Sequence, residues 1–310
     1  MRARAWIWIA AVVAPLSLAA PSAQKTFKSP EAAVQALIKA AQSPDTKAVL
    51  GVLGQDAEPL VNSGDPVADK NAREGFLAKY KAKNSLDKSV ANKATLNVGE
   101  DDWPFPIPVV MKNGAWYFDS AAGIEETINR RVGENELATI QSCLAYVDAQ
   151  REYYLRNVQK DPLQHYANTL ISSPGKKDGL YWPVAASEPQ SPLGEEFVAA
   201  RAEGYLLPGT PKGSPYHGYI YRMLTSQGPD APGGAYDYMV NGELFGGFGL
   251  IAFPADYGNS GVMTFIVNQD GVVYSRDLGP NTQKVAMGIV EFNPDKMWTK
   301  EDGNAVVAGK

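Results

Sequence analysis

The sequence predicts an α+β chain in two halves, and three observations carry that prediction. Helix starts marked by Ser29-Pro30, Asp45 and Asp65-Pro66 crowd the N-terminal part, where a small polar cap precedes a proline or an apolar run. From Ala94 the helical period gives way to the alternation of strands. A long periodic stretch, Gly133-Glu-Asn-Glu-Leu-Ala-Thr-Ile-Gln-Ser-Cys-Leu-Ala-Tyr-Val-Asp-Ala-Gln-Arg-Glu-Tyr-Tyr154, is then followed by short apolar runs bounded by Gly, Pro, Asn and Asp. The expected plan is N-terminal helices on an antiparallel sheet, then a long helix packed on a C-terminal antiparallel meander.

The chain opens on Met1-Arg-Ala-Arg4 and an apolar run over residues 5–20. Pro15 interrupts that run, which falls short of the ~20 residues a spanning helix needs. Small residues follow at Ser17, Ala19, Ala20 and Ala23, so residues 1–23 are expected to be a signal peptide. The mature protein is then periplasmic or secreted, with no membrane span after cleavage.

Residues 27–132 read as the first domain. Val34, Leu37, Ile38 and Ala41 stripe the first helix; Val49, Leu50 and Leu53 face inward on the second, which Gly54 ends. In the third, Ala68, Ala72, Phe76 and Tyr80 recur at every fourth position. Residues 95–98, 105–111 and 115–119 read as strands, the last two joined by Asn113-Gly114, a strong hairpin signal. Prolines 104, 106 and 108 cannot donate to a ladder, so the middle strand is an edge or begins beyond them. Helices on a curved sheet resemble cystatin-like and nuclear-transport-factor-like domains, which can enclose a pocket; Tyr80, Trp103, Trp116 and Phe118 line it or simply fill the core. Residues 120–132 continue as a helix that Gly133 is expected to stop, with Arg130 and Arg131 suiting its C-terminal dipole.

Residues 133–298 read as the second domain. Leu137, Ile140, Leu144, Val147 and Tyr154, with Cys143 beside them, form the expected buried face of its long helix. Beyond come loops rich in Gly and Pro, a short helix over 195–203, and strands over 218–225, 234–240, 247–253, 261–267 and 271–275. Alternation in the first strand predicts one face wetter than the other. Residues 299–310 are expected to be a disordered tail.

Several segments together carry a resemblance. Arg130-Arg-Val-Gly-Glu-Asn-Glu-Leu137, Cys143-Leu-Ala-Tyr-Val-Asp-Ala-Gln-Arg-Glu-Tyr153, Asp178-Gly-Leu-Tyr-Trp-Pro183, Pro215-Tyr-His-Gly-Tyr219, Gln227-Gly-Pro-Asp-Ala-Pro-Gly-Gly-Ala-Tyr236 and Tyr257-Gly-Asn-Ser-Gly-Val-Met-Thr-Phe265 look like the bacterial exported family catalogued as domain of unknown function 2950. The resemblance spans nearly the whole mature chain and implies a periplasmic or secreted protein without an assigned activity. The second half also weakly resembles the globular part of type IV pilins and pseudopilins, although the long uninterrupted apolar helix of a pilin is missing.

Composition narrows the function classes. At 310 residues, 45% hydrophobic and 10% aromatic, the chain is an ordinary globular protein. Its formal charge is −5; without Arg2 and Arg4, 27 basic groups face 34 acidic ones, a net of −7. Nucleic acid is therefore not an expected partner. The single cysteine forms no internal disulfide, and its place on the helix's apolar face suits an inert small hydrophobe. Two isolated histidines lack metal-ligand spacing, so neither a metal nor another cofactor is expected.

What remains is a concentration of aromatic and polar residues around the loop over 228–234. The candidate ligand-binding set is Tyr216, His217, Arg222, Gln227, Tyr236 and Tyr238, joined by Asp178 and Trp182. Rings with polar tips on a strand-loop-strand frame suit a sugar or a peptide, and equally a polar sheet face packed under a long loop. The expected function is a non-catalytic, envelope-associated binding or assembly module for a peptide, glycan or protein partner. The alternative is a hydrolase of an envelope polymer, with His217 as acid or base beside a loop carboxylate such as Asp178 or Glu203. Glu188, Glu195 and Glu196 are further carboxylates of the same region.

Overall fold

The computed structural model describes residues 24–185, 187–205, 211 and 213–301. The expected signal peptide and the last part of the expected tail lie outside these residues. No helix among those described is long and apolar enough to cross a membrane.

Four helices open the fold: α1 Pro30–Ala41, α2 Thr46–Leu53, α3 Glu58–Val61 and α4 Pro66–Ala82. The predicted caps are in place. Ser29 accepts from Ala32 N, Asp45 from Lys47 N, and Asp65 from both Val67 N and Ala68 N. Val34, Leu37 and Ile38 of α1 share one core with Val49, Leu50 and Leu53 of α2. α4 buries no residue completely and rests on that core through half-buried Phe76, Leu77 and Tyr80.

The sheet beneath holds β1 Asn84–Asp87, β2 Lys93–Val98, β3 Trp103–Pro104, β4 Val109–Lys112 and β5 Ala115–Phe118. Its order is β1-β2-β4-β5, with β3 also on β2. β4 begins beyond Pro108, as its missing N–H requires. Asn113 and Gly114, at φ 52° and 78°, turn the chain into β5. The strand β1, which alternation did not reveal, is almost wholly exposed.

The next helix corrects the sequence reading. α5 is continuous from Ser120 to Arg156, 37 residues and about 55 Å long. Gly133 lies inside it with open space where a side chain would be, and the left-handed C-cap is Asn157, at φ 40°. Both halves of the fold grip this helix, and that offsets the roughly 1 kcal/mol an interior glycine costs. Its buried face is also rotated from expectation. Ile140, Cys143, Tyr146, Val147, Gln150 and Tyr153 are buried, whereas Leu137 is 43% exposed. Gln150 can be there because its amide both donates to Ala167 O and accepts from Ala167 N, each at 2.9 Å.

After α5 come a short parallel pair, β6 Thr169–Ile171 and β7 Gly179–Tyr181, and helix α6 Gly194–Ala202. The remaining elements are β8 Tyr219–Leu224, β9 Ser226–Gln227, β10 Tyr236–Asp237, β11 Met239–Val240, β12 Glu243–Leu244, β13 Gly249–Pro254, β14 Met263–Asn268, β15 Tyr274–Asp277, α7 Thr282–Gly288 and β16 Thr299–Lys300. β8, β13, β14, β15 and β16 form the antiparallel meander in that order.

Three details of this half depart from the sequence reading. Residues 234–240 do not join the meander; buried Tyr238 splits them into β10, paired with β9, and β11, paired with β12. Thr299 and Lys300, expected in the tail, pair with Ser275 and Tyr274. Neither face of β8 is wet. Tyr219, Leu250, Ala252, Phe265 and Val267 pack with Ile140, Cys143 and Val147 of α5, while Leu224, Ile251, Phe253 and Ile266 are covered by Ala286 of α7 and by Phe292.

Hydrogen bonds join the halves. Arg131 donates to Pro59 O at 2.8 Å, Leu60 O at 3.1 Å and Asn259 Oδ1 at 2.6 Å, so it clamps the joint rather than capping a helix end. Arg130 pairs instead with Glu126, one turn earlier. Asn259 Nδ2 donates to Asn62 O, and Asn71 Nδ2 to Glu203 O, both at 2.8 Å.

Candidate functional site

The turn that leads into β8 carries two of the expected ligand residues. Tyr216 N donates to Tyr219 O at 2.8 Å and Tyr219 N to Tyr216 O at 3.1 Å, which closes a two-residue hairpin. Its centre is His217 at φ 48° and Gly218 at φ 74°. Glycine is required at the second position, since a Cβ there would collide with the Asn135 side chain. At the first, histidine holds a left-handed conformation that non-glycine residues adopt at some cost.

Asp65 anchors the turn from the other half. It is 1% exposed; while Oδ1 caps α4, Oδ2 accepts from Gly218 N and from Tyr205 OH, each at 2.9 Å. The Tyr205 ring lies 5.0 Å from that of Tyr216 and 5.5 Å from that of His217. His217 Nε2 sits 3.4 Å from Glu203 Oε2, just beyond α6. Burial, and then the negative charges of Glu203 and Glu196, push the Tyr216 phenol up to about 12. The result is a partly exposed corner in which Tyr216, His217 and Glu203 lie over buried Tyr205.

Gln227, Tyr236 and Tyr238 meet in a second place. Gln227 donates to Pro232 O and Gly234 O, each at 2.7 Å, and accepts from Tyr238 OH at 2.9 Å and Gln269 Nε2 at 3.3 Å. Its nitrogen thus holds the loop over 228–234, and its oxygen ties Tyr238 and Gln269 to that loop. Tyr238 is buried, so of the three only Tyr236, 39% exposed, offers a surface.

The other expected residues stand apart. Arg222 lies on the opposite sheet face, where its Nη2 donates to Ala286 O and Ile289 O at the end of α7. Asp178 accepts from Ser173 N at 2.7 Å, and that bond holds its carboxyl below the usual range. Trp182 is buried against Tyr153, with the Lys177 ammonium over its ring. None of these three meets His217.

The remaining reactive groups are enclosed. Desolvation pushes the buried Cys143 thiol up to about 12, which leaves it an inert core residue. His165, with 9% of its side chain exposed, places Nδ1 3.0 Å from Tyr166 O and Nε2 3.0 Å from Asp161 Oδ2, with Glu243 Oε2 at 3.4 Å. Both ring nitrogens face acceptors, an arrangement that favours the doubly protonated ring. Burial opposes that charge, but the Tyr166 carbonyl and the two carboxylates outweigh it, and the imidazole is raised above its ordinary range. Among the described residues, no three His, Cys, Asp or Glu side chains are grouped to hold a metal.

Two contributors were not legible as site residues. Asp65 reads in sequence only as a helix cap, and nothing marks Tyr205 as its partner.

A family model described as a protein of unknown function, DUF2950, matches residues 24–301. Neither the curated proteins nor the solved structures searched gave a match, so the likeness to pilins is not confirmed. The matched span runs from before α1 to the end of β16 and includes every residue of the corner around His217. The chain belongs to the DUF2950 family.

Proposed function

We propose that this chain is a non-catalytic binding module of the bacterial envelope, and that it holds a glycan against the turn carrying Tyr216 and His217. One observation carries the reading: His217, on a partly exposed turn, is held in left-handed backbone at φ 48°. Such conformations cost on the order of 1 kcal/mol, and they cluster at ligand sites where surrounding structure enforces them. Here the enforcement comes from Asp65 and from the bonds between Tyr216 and Tyr219. Beside the turn, the Tyr216 ring suits the C–H face of a sugar, and the carboxylates of Glu203 and Glu196 suit its hydroxyls. The basic start and apolar run of residues 1–23 support delivery to the periplasm or the exterior, where such polymers lie.

Calorimetric titration of the mature protein with soluble envelope glycans tests this. Saturable binding is expected, weakened about tenfold or more by Tyr216→Ala and by His217→Ala. Capture of an envelope peptide or protein in place of glycans would replace the ligand class. Glycan binding indifferent to both substitutions would remove the site.

A hydrolase is the second reading, favoured by the 3.4 Å approach of Glu203 to His217, which is close to the reach of paired acid–base groups. Release of new reducing ends from the same glycans, abolished in His217→Ala, would establish it. No turnover is the expected result.

A further inference from the structure

An open groove of about 300 Å³ lies between α2, α3 and α4. Leu50 and Val61 supply apolar wall, and Glu58, Asp69, Lys70 and Arg73 supply charge. Asp69 and Arg73 are one helical turn apart on α4, the spacing at which an acid and a base normally pair. They do not pair here. The Asp69 carboxylate turns inward to accept from Ser63 N, at 3.2 and 3.1 Å, while half-buried Arg73 has neither a hydrogen bond nor an ion pair among the described residues. Lys70 and Glu58 are engaged already, with Glu74 at 2.8 Å and Asn62 at 2.9 Å.

We infer that this groove binds a short peptide with free termini, its carboxylate on Arg73 and its ammonium on Asp69. The planar guanidinium offers the two parallel donors a carboxylate takes. Asp69 keeps lone pairs for an ammonium, because its hydrogen bonds come from Ser63 alone. Burial raises the Asp69 carboxyl above its ordinary range, so a cation brought against it offsets desolvation. Arg131, which also faces Asp69, gives three donors to Pro59, Leu60 and Asn259 across the joint. Between the charged ends, Leu50 and Val61 face the stem of a two-residue peptide. The site is independent of the glycan surface proposed at His217.

Calorimetry and amide chemical shifts of the mature protein with alanyl-alanine test the inference. The expected result is a dissociation constant on the order of 1 mM, with shifts confined to α2, α3 and α4. N-acetylation or C-terminal amidation of the dipeptide, and Arg73→Gln or Asp69→Asn in the protein, should each weaken binding about tenfold. Arg73→Gln removes no hydrogen bond or ion pair seen among the described residues, so it keeps the test valid even if Asp69→Asn disturbs α4. Absence of binding, binding unchanged in Arg73→Gln, or shifts centred on His217 would overturn the proposal.

Discussion

The loop after α5 and the turn before β8 each present one of the chain's two histidines, and the two environments are opposites. His165 is enclosed, with Asp161, Glu243 and the Tyr166 carbonyl around its ring. His217 is partly open, held by backbone strain and touched through one nitrogen by Glu203. The difference teaches that the same side chain can be a structural rivet or a presented group, depending on whether its nitrogens already have partners. Substitutions that exchange stability for function at one place and not the other test that contrast.

The largest effect belongs to Asp65, which holds the turn of His217 to the first half. Asp65→Ala leaves four buried or capping donors without an acceptor: Val67 N, Ala68 N, Tyr205 OH and Gly218 N. A lost cap removes about 1 kcal/mol and each of the two stranded buried donors about 1–3 kcal/mol, so a loss of about 3 kcal/mol or more is expected in urea unfolding. A loss below about 1 kcal/mol would mean that the halves are not joined through this carboxylate.

His165 comes next. Its folded-state pKa is raised above the unfolded value, so the stabilisation it brings is complete at acidic pH and disappears as pH rises through the folded value. His165→Gln keeps one amide donor and loses the charge; a loss of about 1.5 kcal/mol is expected at pH 5, shrinking on the alkaline side. The comparison is sharpened by unfolding both proteins across neutral pH. Equal pH dependence in the two would show that the imidazolium is not what holds Asp161 to Glu243.

The same contrast explains what could be read in advance. Ser29, Asp45 and Asp65 announced their helices, and Asn113-Gly114 its hairpin, because those signals act between near neighbours. Gly133 looked like a helix stop for the same local reason. It is overruled by Arg131 and Asn135, which bind partners remote in sequence and hold α5 straight through. Residues 234–240 read as one strand, but Tyr238, buried with its hydroxyl on Gln227 Oε1, falls between β10 and β11. At the candidate site, the aromatic content was visible while the partition was not. Nothing local assigns Arg222 to α7, or sets Glu203 rather than Asp178 beside His217.

The smallest effect has the opposite sign and bears most directly on function. If His217 were retained for stability, its removal would weaken the fold as removal of His165 does. Its ring contacts are with Tyr205, Tyr216 and a half-exposed Glu203, and a polar contact at such a partly exposed place contributes little. Its backbone, at φ 48°, is where glycine is at ease. His217→Gly relieves about 1 kcal/mol or more of left-handed strain and gives back part of that through a freer unfolded chain. A net gain of about 0.5 kcal/mol is therefore expected, measured as a higher urea midpoint with an unchanged slope. Glycan binding should fall in the same variant, since the imidazole is gone while the turn keeps its shape. Greater stability with lost binding would mark His217 as kept for what it presents. A clear loss of stability would put it in the same class as His165 and leave the corner beside Glu203 as packing.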